Sequence, residues 1–225
     1  MDSRGMDGPR TDDLDEHRDR YVGDPAVRAA WDERYADQPL WSGRPNDALE
    51  VEVEGLPPGR VLDVGCGEGA DAVWLAQRGW RVTALEVSGV ALERAAQHAR
   101  DAGVPVRWVH AGLVEASLPS RSFDLVSAQY PALLRTPDAS AERALLDAVA
   151  PGGTLLLVHH AGMDTHRPDD GGFDPADYVG PDDVAALLDD DWRVEVHERR
   201  PRHGARAGAG AHHREDVVLR ARRLR

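Results

Sequence analysis

Lysine is missing from this chain: all 27 basic residues are arginine. That excludes a Schiff-base or pyridoxal-phosphate lysine, and the lysines on which P-loop and protein-kinase nucleotide sites depend. Cysteine is nearly as scarce. Cys66 stands alone, so neither a disulfide within the chain nor a cysteine zinc cluster can form. Positive charge is outweighed, with a formal net charge of -13, which disfavours nucleic acid as a partner because phosphate binding needs concentrated basic charge. No apolar run approaches the length of a membrane span, and the opening residues show no basic-then-apolar signal. The expectation is a soluble, cytoplasmic protein with no membrane partner and an oligomeric state that composition does not set.

What is present centres on Arg60 to Trp74, RVLDVGCGEGADAVW. An apolar run (Val61, Leu62, Val64) is interrupted by one acid, Asp63. Glycines follow at alternate positions, Gly65, Gly67 and Gly69, and then a helical pattern begins. This is a buried strand, a sharp turn and a helix start. Such a turn brings a ligand close to bare amides at the positive end of a helix. Glu86 lies about 20 residues beyond the first glycine, the interval at which an acid reaches ribose hydroxyls. Gly65, Gly67 and Ala70 also satisfy the dinucleotide fingerprint, so an NAD-type oxidoreductase stays open. Asp63 opposes it, since a carboxylate ahead of the glycines repels a pyrophosphate and suits an ammonium group. Cys66, inside the turn, reads as a small filler.

Along the chain, residues 1–20 are crowded with Asp and Arg and read as a disordered tail. Residues 21–56 read as a helical cap or lid. In it, Asp24–Pro25 open a helix that puts Trp31 and Tyr35 on one face, and Asn46 caps a second helix through Val53. Residues 57–225 alternate strands and helices. The strands expected are Val61–Val64, Arg81–Leu85, Val104–His110, Phe123–Ala128, Thr154–Val158, Trp192–Glu198 and Glu215–Ala221. The helices expected are Ala70–Arg78, one capped by Ser88, Ala141–Ala150 stopped by Pro151–Gly152–Gly153, and Pro181–Asp190. The fold class is α/β, a doubly wound, mostly parallel seven-stranded sheet with an antiparallel last strand. Ligands in such sheets bind outside the carboxyl ends of the strands. That edge collects Asp63 to Gly69, Glu86, His110 to Leu113, Gln129 to Pro131, His159 and His160, and the arginine- and histidine-rich loop from Arg199 to Arg214.

The RVLDVGCGEG stretch resembles the first motif of class I S-adenosylmethionine (SAM) methyltransferases. WDERYADQPLWSGRPN ahead of it and VTALEVS after it resemble the tellurite-resistance and thiopurine methyltransferase-like branch. The resemblance implies SAM as cofactor, held by Asp63, Gly65, Cys66, Gly67, Gly69, Glu86, Val87, Gly112, Leu113 and Gln129, with Trp41 and Arg44 covering it. An aspartate that often reaches adenine is replaced here by Ala111–Gly112–Leu113. The implied function is in-line methyl transfer to a small-molecule acceptor, an O- or S-nucleophile or an oxyanion. The candidate acceptor-facing residues are His159, His160, His212 and Arg202. A hydroxyl acceptor needs a histidine base and a thiolate does not. After the fourth strand, Gln129–Tyr130–Pro131–Ala132 is not the Asn/Asp-Pro-Pro-aromatic tetrapeptide of enzymes acting on DNA bases or amide nitrogens. The adjacent His pairs offer one side chain per face, and no metal site is expected. A catalytically silent SAM-binding module is the remaining alternative.

Overall fold

The apolar run at Arg60–Val64 becomes β1, the centre of the sheet, buried from Val61 onward. In the computed structural model, which describes residues 23–162, 177–202 and 213–225, β1 lies between two parallel strands, β2 (Arg81–Glu86) and β4 (Phe123–Gln129). The expected tail at 1–20 and residue His212 fall outside the described residues. β3 (Arg107–His110) pairs with β2, and β5 (Val149–His160) with β4, both parallel. β7 (Glu215–Arg223) runs antiparallel between β5 and β6 (Trp192–Pro201). The order is β3-β2-β1-β4-β5-β7-β6, so the last strand inserts beside β5 and leaves β6 at the edge.

Both faces of the sheet are covered, and strands buried on both sides carry runs of apolar residues with little alternation. One face packs Leu62, Val64, Val126 and Leu155 against Leu145 of α5 (Ser140–Ala148) and Val184 of α6 (Pro181–Ala185). The other packs Val61, Val82 and Leu156 against Leu75 of α3 (Ala70–Gln77) and Leu49 of α2 (Asp47–Val53). Each fully buried Leu or Val contributes about 1.5–3 kcal/mol. α1 (Pro25–Tyr35) sits on α4 (Gly89–Asp101) through Asp32, whose Oδ1 accepts from Ser88 Oγ at 2.7 Å and from the Val90 amide at 3.2 Å.

Local signals were followed closely where one residue decides. Asp24 caps α1, accepting from the Ala26 amide at 2.8 Å with Pro25 behind it, and Ser88 caps α4 through the Ala91 amide. Three expectations are corrected. Asn46 occupies the N-cap position of α2, yet its side chain makes no cap bond and donates to Asp71 Oδ2 instead, at 2.7 Å. α5 ends at Ala148, before Pro151–Gly152–Gly153, because Val149 already pairs with Phe123. Those three residues form an irregularity in β5, where a Cβ on Gly153 would meet Phe123 O at 2.8 Å. α6 stops at Ala185, well short of Asp190.

Candidate cofactor and acceptor cleft

At the carboxyl ends of β1, β2, β4 and β5 the sheet opens into a cleft whose free space is about 1320 Å³, its solvent-facing mouth included. It sits where the strand order reverses between β1 and β4. The glycine turn forms its floor. Gly65, Gly67 and Gly69 have φ of 69, 52 and 82°, the left-handed region that glycine adopts without penalty. A Cβ on Gly67 would come within 3.0 Å of Tyr35 Oη and 3.1 Å of Trp41 Nε1.

Three carboxylates face this floor. Asp63 is 2% exposed, and its Oδ2 finds no hydrogen-bond partner among the described residues. Burial, with Asp71 and Glu86 nearby, holds its carboxyl well above the usual carboxylate range. Asp71, in the first turn of α3, accepts from both the amide and the side chain of Asn46 at 2.7 Å, and burial pushes it up to about 6. Glu86 accepts from the amides of Gly67, Val87 and Ser88 at 2.9–3.0 Å and is also raised by burial. Two carboxylate oxygens offer about four lone-pair sites. Glu86 therefore keeps room for a hydroxyl while it ties the turn to β2. Beside Asp63, Gln129 donates to Ser127 Oγ at 3.1 Å, and its Oε1 likewise lacks a partner among the described residues.

One side of the mouth is formed by the segment before α2. The Trp41 indole donates to Tyr35 Oη at 2.7 Å. Glu68, buried, accepts from the amides of Leu40 and Trp41 at 3.1 Å and from Arg94 at 2.9 Å. Arg94 in turn donates to Gln38 O at 3.0 Å, so the segment is clamped at both ends. Val87, Ala111 and Leu113 supply an apolar wall.

The far side is aromatic and basic. Tyr130 has φ of 53°, a strained value for a bulky residue of the kind that clusters at functional sites. Its ring stacks on His160 with centroids 4.3 Å apart, its Oη donates to Asp216 at 2.8 Å, and the Arg202 guanidinium lies 5.1 Å from its centroid.

Of the residues expected here, Asp63, Gly65, Cys66, Gly67, Glu86, Val87, Leu113, Gln129, Trp41, Arg44, His160 and Arg202 all line the cleft. Three do not. Gly69 opens α3, where a Cβ would strike Ala95 at 2.7 Å, so it permits close helix packing. Gly112 leaves room for the Glu115 carboxylate, which a Cβ there would strike. His159 is turned into the core. Its Nδ1 accepts from the His160 amide at 2.9 Å, and burial drives its pKa down to about 4. His159 is thus a neutral, buried imidazole, and of that His pair only His160 reaches the cleft. Burial also pushes the Cys66 thiol up, which suits filling and opposes a nucleophile. Glu68 and Asp71, both inside the glycine motif, also serve the site by holding the Leu40–Trp41 and Asn46 backbone. Asp216 had no local signal. Among the described residues, no three His, Cys, Asp or Glu side chains could hold a metal ion, and no helix is long and apolar enough to cross a membrane.

Residues 61–153 match a family model described as a methyltransferase domain. An uncharacterized methyltransferase of Mycobacterium tuberculosis is 40% identical over 123 residues, 54% of this chain and 61% of that protein. A ubiquinone biosynthesis O-methyltransferase of Alkalilimnicola ehrlichii is 35% identical over 138 residues, 60% of this chain and 56% of that protein. The chain thus spans less than two thirds of these relatives. Among solved structures, the N-methyltransferase NodS of Bradyrhizobium japonicum WM9, in complex with S-adenosyl-L-homocysteine, superposes with a TM-score of 0.64 at 19% identity, covering 88% of this chain and 99% of that one. A structure described under the conversion of a disulfide bond into a thioacetal group during echinomycin biosynthesis gives 0.68 at 24% identity, over 88% and 93%. At such identities the structures establish the fold. Residues 61–153 are thus similar in sequence to a methyltransferase domain, set in a fold that the solved methyltransferase structures share.

Proposed function

We propose that this protein transfers the methyl group of SAM to a small-molecule acceptor. The observation that carries the reading is the pair of buried, unpartnered acceptors on the cleft floor, Asp63 Oδ2 and Gln129 Oε1. Leaving such groups buried without donors is costly. An ammonium supplies those donors and its charge answers Asp63, so the methionine end of SAM fits the floor. Asp71 and Glu86 add negative charge nearby, which suits a cation and opposes the pyrophosphate of NAD. Glu86 is placed for the ribose hydroxyls, and Val87, Ala111 and Leu113 offer an apolar seat for adenine. Trp41 and Arg44 close the mouth as a lid.

Bound SAM supplies an electrophilic methyl on a sulfonium, already activated. The residues have then to orient an acceptor in line and exclude water, and such orientation can lower a barrier by about 7–11 kcal/mol. The far side, with His160, Tyr130 and Arg202, is the acceptor side. The O-methyltransferase among the relatives favours an oxygen acceptor. The tellurite-resistance and thiopurine-like branch is the narrower proposal, resting on the placement of Trp41 and Arg44. Location in the cytoplasm belongs to the same proposal.

Calorimetry with SAM, S-adenosylhomocysteine and NAD tests the reading. Tight binding of the first two and none of NAD is expected, and NAD binding with SAM excluded would overturn it. Labelled SAM with thiol, phenol and oxyanion acceptors separates an enzyme from a silent binding module.

A further inference from the structure

His160 and Asp216 face each other as directly paired residues of β5 and β7, so the strand pairing itself brings the imidazole to the carboxylate. His160 Nδ1 lies 3.3 Å from Asp216 Oδ1, and the other oxygen of that carboxylate accepts from Tyr130 Oη at 2.8 Å. Asp216 is 4% exposed. The imidazole is held flat between two rings, Tyr130 at 4.3 Å and His213 at 3.9 Å, with interplanar angles of 28 and 9°. A carboxylate at Nδ1 fixes the proton on that nitrogen and makes Nε2 the basic one. The same ring lines the cleft. It is also close to the cofactor floor, since Pro131 lies 3.9 Å from a Cβ built on Gly65 and follows directly on Tyr130.

We propose that Asp216 and Tyr130 hold His160 as the general base of the reaction, and that the acceptor enters as a neutral phenolic or enolic hydroxyl. This rests on the methyltransferase reading. The acceptor proton passes to His160 Nε2 while the oxygen lone pair forms the bond to the methyl carbon. The electrons of the broken carbon–sulfur bond stay on sulfur, and the imidazolium returns its proton to solvent. The acidity of the acceptor follows from the base. A neutral imidazole oriented by a carboxylate can take the proton of a phenol, a hydroxyl whose own pKa is about 10. A phenol or enol, far more acidic than an aliphatic alcohol, asks the least of such a base, and a thiolate or oxyanion needs none. Asp216 and Tyr130 are positioning residues. The charged and titratable groups around His160 are Asp216 on β7, His213 ahead of it, Tyr130 after β4, His159 on β5 and Arg202 after β6.

The first test needs no acceptor. Long-range proton–nitrogen NMR of the full chain, with His160 assigned by its loss in His160→Gln, reads the tautomer. A neutral ring with its proton on Nδ1 is expected, shifting toward the other tautomer in Asp216→Asn. A wild-type ring protonated on Nε2 overturns the proposal. The second test uses labelled SAM with phenol and with pentafluorophenol, which is already ionised at neutral pH. His160→Gln is expected to lower transfer to phenol by about 10²–10⁴-fold and to spare pentafluorophenol. Tyr130→Phe is expected to lower kcat for phenol and leave its KM. Equal loss on both acceptors, or wild-type transfer to thiols and to neither phenol, overturns it. SAM affinity, measured by calorimetry in each variant, is expected to hold. Its absence in the wild type would strike the parent reading, leaving the tautomer to decide the dyad.

Discussion

The floor of the cleft comes from one short piece of chain, Asp63 to Asp71, completed by Glu86 and Gln129. Its far side is assembled from Tyr130, His160, Arg202, His213 and Asp216, drawn from four separate segments. The floor is acidic and rich in backbone donors. The far side is aromatic, with imidazoles and a guanidinium. An ammonium that keeps its charge throughout the transfer can be met by a fixed local turn with buried carboxylates. A site that must move a proton needs an imidazole, and an imidazole needs something to fix its tautomer, which here comes from a neighbouring strand. The two parts are thus separable by mutation, and the separation can be measured.

The largest effect is expected at Asp63. Replacing it with Asn removes the charge that answers the ammonium, at a cost of about 2–5 kcal/mol in SAM binding, or at least about thirtyfold in Kd. His160→Gln, on the far side, is expected to change that Kd by no more than about 0.5 kcal/mol. Calorimetry on both variants decides it, and similar losses in both would erase the distinction. Next comes Glu68→Gln, which weakens charge-assisted bonds to two amides and Arg94 and is expected to cost about 1.5–3 kcal/mol in stability. Thermal unfolding would register it, and SAM affinity would fall with it as the Leu40–Trp41 segment loosens.

The pH dependence separates the two parts in another way. Asp63, Asp71 and Glu86 are all raised by burial, Asp71 to about 6. A carboxyl whose folded pKa exceeds its unfolded value binds its proton more tightly when folded. Its contribution to stability is therefore greatest at low pH and is lost as pH rises from the ordinary carboxylate range through the folded value. SAM reverses the sign, because its cation favours the ionised forms. Stabilisation by SAM is expected to weaken about tenfold in apparent affinity, about 1.4 kcal/mol, between pH 7.5 and pH 5. Asp63→Asn should flatten that profile. Melting curves with and without SAM at the two pH values provide the check.

The floor could be read from the chain because strand, turn and acid are contiguous, and Glu86 follows at a set interval. The class of sheet was equally accessible, since strands alternating with helices give a mostly parallel sheet, and β6 and β7, joined without a helix, pair antiparallel. The far side was less so. Alternation said that only one of His159 and His160 could face the cleft, and the burial that chose His160 is tertiary. Tyr130 and Asp216 are 86 residues apart, and no spacing rule links them. Asn46 misled because capping and bonding to Asp71 use the same side chain, and only the fold brings Asp71 within reach. Pro151–Gly152–Gly153 looked like a helix stop, whereas Phe123 had already recruited Val149 into the sheet.

The smallest effect concerns the segment at the mouth. Trp41 is 39% exposed, yet its indole nitrogen donates to Tyr35 Oη and its amide is held by Glu68. Trp41→Phe keeps an aromatic ring and the amide contact and removes the neutral indole hydrogen bond, worth about 0.5–1.5 kcal/mol, together with part of the indole's packing on the turn. Because the indole nitrogen lies 3.1 Å from a Cβ built on Gly67, the loss acts on the cofactor turn. SAM affinity is therefore expected to fall by about two- to tenfold with kcat unchanged at saturating SAM. A lower kcat with intact SAM affinity would instead assign Trp41 to the acceptor side, and the boundary between the two parts of the cleft would have to be drawn through the lid.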